Sequence, residues 1–91
     1  MKEQDKKDYQ IIDVRTAQEY AEGHIPQAMN IPNEIIQSPD FQGLGDKHQK
    51  LMVYCRSGKR SRQAAQKLAQ LGYTNVVDMG SILAWEGKLE K

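Results

Sequence analysis

Leu51-Met52-Val53-Tyr54-Cys55-Arg56-Ser57-Gly58-Lys59-Arg60-Ser61-Arg62 is the stretch whose reading decides the fold. Leu51 to Tyr54 is an unbroken apolar run with a β-branched and an aromatic residue, the pattern of a strand buried on both faces. The run ends on Cys55, the single cysteine of the chain. Beyond Arg56-Ser57-Gly58, the residues Ala64, Ala65, Leu68, Ala69 and Leu71 fall on one side of a helix. Open α/β sheets bind their ligands where a strand's carboxyl end meets a helix N-terminus. Free backbone N–H groups and the positive end of the helix dipole converge there and stabilise an anion. A thiolate is an anion. The Cys55 thiol is therefore expected to ionise below its free value and to act as a nucleophile.

A lone cysteine is in most proteins a small buried hydrophobe. The neighbours of Cys55 argue otherwise, because Arg56, Lys59, Arg60 and Arg62 gather within seven residues of a glycine-containing polar loop. Arg62 fits a solvated helix face. Cations at Arg56, Lys59 and Arg60 would destabilise a helix N-terminus unless an anion were held there. Such a local conflict marks a functional site.

Cys55-Arg56-Ser57-Gly58-Lys59-Arg60-Ser61 resembles the active-site loop of the rhodanese family of sulfurtransferases. Ile11-Ile12-Asp13-Val14-Arg15, Glu19-Tyr20, Gly23-His24-Ile25-Pro26, Ala28 and Asn30-Ile31-Pro32 resemble its N-terminal signature. Leu71-Gly72-Tyr73, Asn75-Val76, Gly80 and Trp85 resemble its C-terminal one. Two departures stand out. Ser81 occupies a position where the family usually has a second glycine, and only Met1 to Asp8 precede the first motif, where the family usually has a strand and a helix. The resemblance implies a three-layer α/β fold and a sulfur atom passed through a persulfide on Cys55. Thiosulfate or a related persulfide would be the donor, and cyanide, a thiol or a protein thiol the acceptor. Loop N–H groups from Arg56 through Ser57, Gly58 and Lys59 to Arg60 would hold the terminal sulfur. Arg56 and Lys59 would attract the anionic donor, while Arg60 and Ser61 would brace the loop or bond the sulfur. Sulfur itself is the transferred group, so neither a cofactor nor a metal is expected.

Ninety-one residues at a net charge of +1, with 27% charged, fit one domain and suggest no bulk binding of nucleic acid or membrane. One cysteine excludes an internal disulfide, and two histidines without paired cysteines leave no zinc or iron–sulfur pattern. Met1 to Asp8 is wholly polar, reads as a flexible tail and carries neither a signal peptide nor a span. Residues 9–91 then form the single domain. A reducing cytoplasm suits an essential free thiol.

Along the chain, Tyr9 to Val14 reads as the first strand. Thr16 and Glu19 have capping-box spacing for a short helix that Gly23 stops. Asp13 and Arg15 are expected in buried hydrogen bonds or an ion pair that supports neighbouring loops. Ala28 to Ile31 reads as a brief strand closed by Pro32, and Asn33 as the cap of a turn carrying Ile35 and Ile36. Ser38-Pro39 opens a short helix that buries Phe41 and Leu44 and ends in Gly43-Leu44-Gly45-Asp46. His24 reads as a hydrogen-bonded structural residue and His48 as exposed, so no Cys-His dyad is expected. Asn75 to Asp78 reads as the last strand, followed by a helix with Ile82, Leu83 and Trp85. Gly80 would allow close backbone approach to the loop, and Trp85 would pack in the core. About four parallel strands with helices on both faces follow from this alternation.

Two rival functions share these features. A cysteine phosphatase or arsenate reductase also builds an anion cradle between a cysteine and an arginine, but with five residues between them. Here Arg56-Ser57-Gly58-Lys59 puts four between Cys55 and Arg60. The other rival is a module that carries or senses persulfide for a partner protein.

Overall fold

The computed structural model describes residues 9–36, 38, 41, 43 and 46–91. Strand β1 (Tyr9–Asp13), helix α1 (Ala17–Ala21), β2 (Met29–Asn30), β3 (Lys50–Cys55), α2 (Lys59–Gln70) and β4 (Val76–Ser81) follow in chain order. The strands form one parallel sheet in the order β2-β1-β3-β4. With partners on both sides, β3 has no free edge and needs apolar residues on both faces. Its side chains alternate accordingly. Leu51, Val53 and Cys55 join Ile12, Val14, Ala64 and Leu68 in the core beneath α2. Tyr54 faces the other way, with Ile25, Ala28, Ile82, Tyr20 and Ile11. A sheet between two apolar layers is the three-layer arrangement expected. Truncating Leu68, which is fully buried, to alanine should cost about 2–5 kcal/mol.

Local signals explain the ends of α1. The Glu19 N–H donates to Thr16 Oγ1 at 3.2 Å and the Thr16 N–H to Glu19 Oε1 at 2.9 Å, a reciprocal capping box. Gly23, at φ 147°, carries the chain away from the helix end. The buried stripe of α2 is Ser61, Ala64 and Leu68, with Ala65 beside it. Ala69 and Leu71 do not belong to it, contrary to the helical pattern. Ala69 turns to solvent, and Leu71, at the C-cap, is 36% exposed where the chain leaves the helix.

Three further expectations are corrected. Asn33 does not cap its turn. It is the first residue of a 3-10 turn (Asn33–Ile35), and its Nδ2 donates instead to Gln63 Oε1 on α2 at 2.9 Å. Strand β4 runs on to Ser81 rather than ending at Asp78. Among the described residues no helix of α type follows it, only a 3-10 turn (Ile82–Ala84), after which Trp85 returns to extended backbone. Only Ile82 of that turn is buried; Leu83 is 81% exposed. Trp85 is 38% exposed and does not pack in the core, its indole N–H donating to the Lys88 carbonyl at 3.2 Å. The helix expected from Ser38-Pro39 to Leu44 rests mostly on residues outside those described, as does Met1 to Asp8. Phe41, which is described, packs against the α2-side core, and its N–H donates to the Ser38 carbonyl at 3.1 Å.

Candidate active site

Cys55 sits at the carboxyl end of the interior strand and has no exposed surface. The next residues fold into a tight loop because Gly58, at φ 98°, takes a left-handed conformation that side chains disfavour. That turn aims backbone donors at the sulfur. The Gly58 N–H lies 2.9 Å from Cys55 Sγ and the Ser61 N–H 3.3 Å from it. Burial by itself raises the thiol's pKa. The N–H groups of Ser61, Gly58 and Ser57, with the Ser61 hydroxyl, outweigh it and leave the net shift downward. Those donors belong to the first turn of α2 and the loop feeding it, where they have no helical partner.

The charged residues divide by geometry. Arg60 turns from the sulfur to α1, where Nη1 lies 2.8 Å from Glu19 Oε1 and Nη2 3.1 Å from Oε2. This fork holds the Glu19 carboxyl down to about 2. Arg56 and Lys59 are exposed on the loop's outer side. Two surface hollows flank the loop. One, of about 600 Å³, is lined by Ser57, Gly58, Lys59, Arg62, Gln63 and Asp78, among others. The other, of about 310 Å³, is bordered by Arg15, Glu19, Arg56, Ile82, Leu83 and Leu89, among others. Cys55 lines neither.

Asp13 and Arg15 lie on the adjoining strand end. Arg15 Nη2 meets Asp13 Oδ2 at 2.7 Å and also donates to the Gly23 carbonyl at 2.6 Å. The Tyr54 hydroxyl donates to Asp13 Oδ2 at 2.8 Å and accepts the Ile25 N–H at 3.1 Å. Strands β1 and β3 and the segment that follows α1 are thus joined through one buried ion pair.

Gly80 has a different reason from the one expected. A Cβ there would meet nothing within 4 Å, so close approach does not require glycine. Its φ of 82° does, at a bulge where the β3–β4 pairing steps from Val53↔Asp78 to Tyr54↔Gly80. His24 stacks on Tyr20 with ring centroids 3.7 Å apart, and its Nδ1 lies 2.9 Å from the Tyr20 carbonyl. His48 is exposed beside Thr74. The hydrogen bonds on the sulfur come from backbone N–H groups and not from either histidine. Among the described residues no cluster of histidine, cysteine and carboxylate side chains could hold a metal.

Sequence reasoning missed two residues of this shell. Glu19 is legible in the sequence as a capping residue and part of the N-terminal signature but not as the partner of Arg60, since no local pattern pairs residues forty-one positions apart. Asp78 was read only as a strand end. Its Oδ1 accepts the Ser61 hydroxyl at 2.6 Å and the Gly80 N–H at 2.9 Å.

Fold and site together describe an α/β protein that carries a buried cysteine, met by backbone N–H groups, at a strand–loop–helix junction. The chain belongs to the rhodanese-like domain family, which matches it over residues 1–88. A sulfurtransferase of Allochromatium vinosum is 40% identical over 82 residues, covering 89% of this chain and 75% of the relative. The thiosulfate sulfurtransferase PspE of Escherichia coli is 35% identical over 71 residues, 78% of this chain and 68% of that one. A solved structure described as rhodanese with anions from E. coli superposes with a TM-score of 0.82 at 31% identity, covering 91% of this chain and 98% of that one. Sulfur transfer is accordingly the activity of the family to which the chain belongs.

Proposed function

We propose that the chain takes a sulfane sulfur from thiosulfate or a related persulfide donor onto Cys55 and passes it to cyanide, a thiol or a protein thiol. The observation that carries this reading is the convergence of the Gly58 and Ser61 N–H groups on Cys55 Sγ. The Cys55 thiolate attacks the outer sulfur of the donor. The sulfur–sulfur bond of thiosulfate breaks and sulfite leaves with its electron pair. The persulfide's terminal sulfur then takes up the loop N–H groups as an oxyanion would. An acceptor nucleophile attacks that sulfur, and the Cys55 thiolate departs with the bonding pair. Arg56 and Lys59 draw the anionic donor in, whereas Arg60 and Ser61 hold the loop's shape. Because the sulfur is covered, the loop must give slightly to admit the donor. Residues 9–91 work as one unit, in a reducing compartment such as the cytoplasm, without cofactor or metal.

Incubation with thiosulfate should add one sulfur atom to Cys55, seen by intact mass and removed by cyanide. Aryl phosphates should be hydrolysed negligibly, since four residues rather than five separate Cys55 from Arg60 and that arginine is committed to Glu19. Efficient phosphate hydrolysis without persulfide formation would replace this reading with a phosphatase. A stable persulfide that turns over only with a protein partner would favour the carrier.

A further inference from the structure

Asp78 stands opposite Val53 in the β3–β4 register, the last pair before the bulge. Registered side chains of neighbouring strands share a face of the sheet, and the face of Val53 is the one beneath α2. There Asp78 Oδ1 accepts the Gly80 N–H at 2.9 Å, which fixes the carboxylate at the bulge, and the Ser61 hydroxyl at 2.6 Å. Ser61 is fully buried in the first turn of α2. Its own N–H is one of the two on Cys55 Sγ, at 3.3 Å, and has no helical partner to hold it there. The same hydroxyl lies 3.0 Å from the carbonyl of Gly58, the residue that carries the other N–H on the sulfur. A hydroxyl has one proton to give, and the closer, charged acceptor is Asp78. Ser61 is thus gripped from β4 while its N–H faces the sulfur. The other end of the loop is held separately, by the Ser81 hydroxyl on the Arg56 carbonyl.

We propose that Asp78 is a positioning residue, which grips the Ser61 hydroxyl so that the Ser61 N–H stays on the sulfur of Cys55. The proposal rests on Cys55 as the sulfur-carrying residue and adds the part of the fold that aims its cradle. The hydrogen bonds of Asp78 go to Ser61 and Gly80 and not to the sulfur. It acts through the serine it holds.

The test compares Asp78→Ala with Asp78→Asn. Asparagine keeps an oxygen that can accept from Ser61 and Gly80, whereas alanine has none. Both variants are neutral at position 78, and Arg56, Lys59, Arg62 and Arg60 with its partner Glu19 surround the loop in both. Any difference between the two therefore reports the grip on Ser61 and not the carboxylate's charge. Alkylation rate against pH gives the Cys55 midpoint without any sulfur donor, so it is independent of the proposed reaction. The midpoint of Asp78→Ala should lie about half a unit to one unit above that of Asp78→Asn, from a weakened hydrogen bond to the thiolate. With thiosulfate, kcat of Asp78→Ala should be about threefold to tenfold below that of Asp78→Asn, and their KM values should agree within about twofold. A purely structural role would lower the melting temperature of Asp78→Ala yet leave the two midpoints equal, and that result overturns the proposal. Should Asp78→Ala fail to fold, Ser61→Ala decides, because it keeps the N–H and removes the hydroxyl that Asp78 grips. Its midpoint should rise by a similar amount, and a midpoint equal to that of the unaltered protein overturns the proposal as well.

Discussion

Asp13 and Cys55 are both fully buried acids at the carboxyl ends of neighbouring parallel strands, and they are treated in opposite ways. Asp13 is surrounded by side chains: both of its oxygens meet Arg15 and one meets the Tyr54 hydroxyl. Cys55 is surrounded by backbone, with the Gly58 and Ser61 N–H groups on its sulfur and the nearby Arg60 fork turned to Glu19. A bidentate guanidinium quenches an anion and ties it to one geometry. Backbone dipoles lower its energy without neutralising it, and they can follow a charge that moves outward by one sulfur. The first site holds the fold together. The second is built to react.

Exchanging the reactive atom should give the largest effect. Cys55→Ser is expected to stay folded, gain no sulfur from thiosulfate and lose at least about a thousandfold in kcat/KM. Turnover at the normal rate by that variant would mean that no covalent sulfur passes through this loop.

Breaking the quenched site should cost stability first. Asp13→Ala leaves the Arg15 guanidinium buried without its partner and should lower the unfolding free energy by about 3–5 kcal/mol in denaturant titrations. If instead Asp13→Ala abolished persulfide formation at unchanged stability, the contrast between the two acids would be mistaken.

The Arg60–Glu19 pair stands between them, a salt bridge that braces the reactive loop. The Glu19 carboxyl is held at about 2 by its hydrogen bonds to Arg60, below its ordinary 4.5. Its stabilisation is therefore complete above pH 4.5 and fades as the pH falls toward 2. Glu19→Gln should remove that part of the acid dependence, read by melting temperature across the same range. Arg60→Ala should lower kcat about threefold to tenfold more than it changes KM. An Arg60→Ala variant altered only in KM would place Arg60 with the donor-attracting cations instead.

The smallest effect is expected on the exposed side of the loop. Arg56→Ala and Lys59→Ala should each raise KM for thiosulfate about twofold to fivefold with kcat nearly unchanged, because charge at those positions acts by attraction. The difference from the unaltered protein should shrink in high salt. Salt-independent losses would show that these side chains contact the reacting sulfur directly.

Much of this was legible before any coordinates. The apolar run ending on Cys55 could only be an interior strand, because an unbroken run needs burial on both faces. Thr16 with Glu19, and Gly23, punctuated the chain by local backbone chemistry, which is written in a few consecutive residues. The same locality misled at the end of the chain. Ile82, Leu83 and Trp85 have helical spacing, but periodicity does not say whether a surface is there to receive them. In the fold only Ile82 reaches the core.

What the amino-acid sequence determined by itself was the order of the four strands, the helices α1 and α2 between them, the place of Cys55 at the end of β3, and the family. Those follow from propensity, periodicity and short motifs. Tertiary structure alone decided that Arg60 belongs to Glu19, that Tyr54 joins the Asp13–Arg15 pair, and that the β4 bulge brings Asp78 and Ser81 to the loop. These contacts join residues distant along the chain. Each depends on register and a few tenths of an ångström, which side-chain type and spacing do not encode locally.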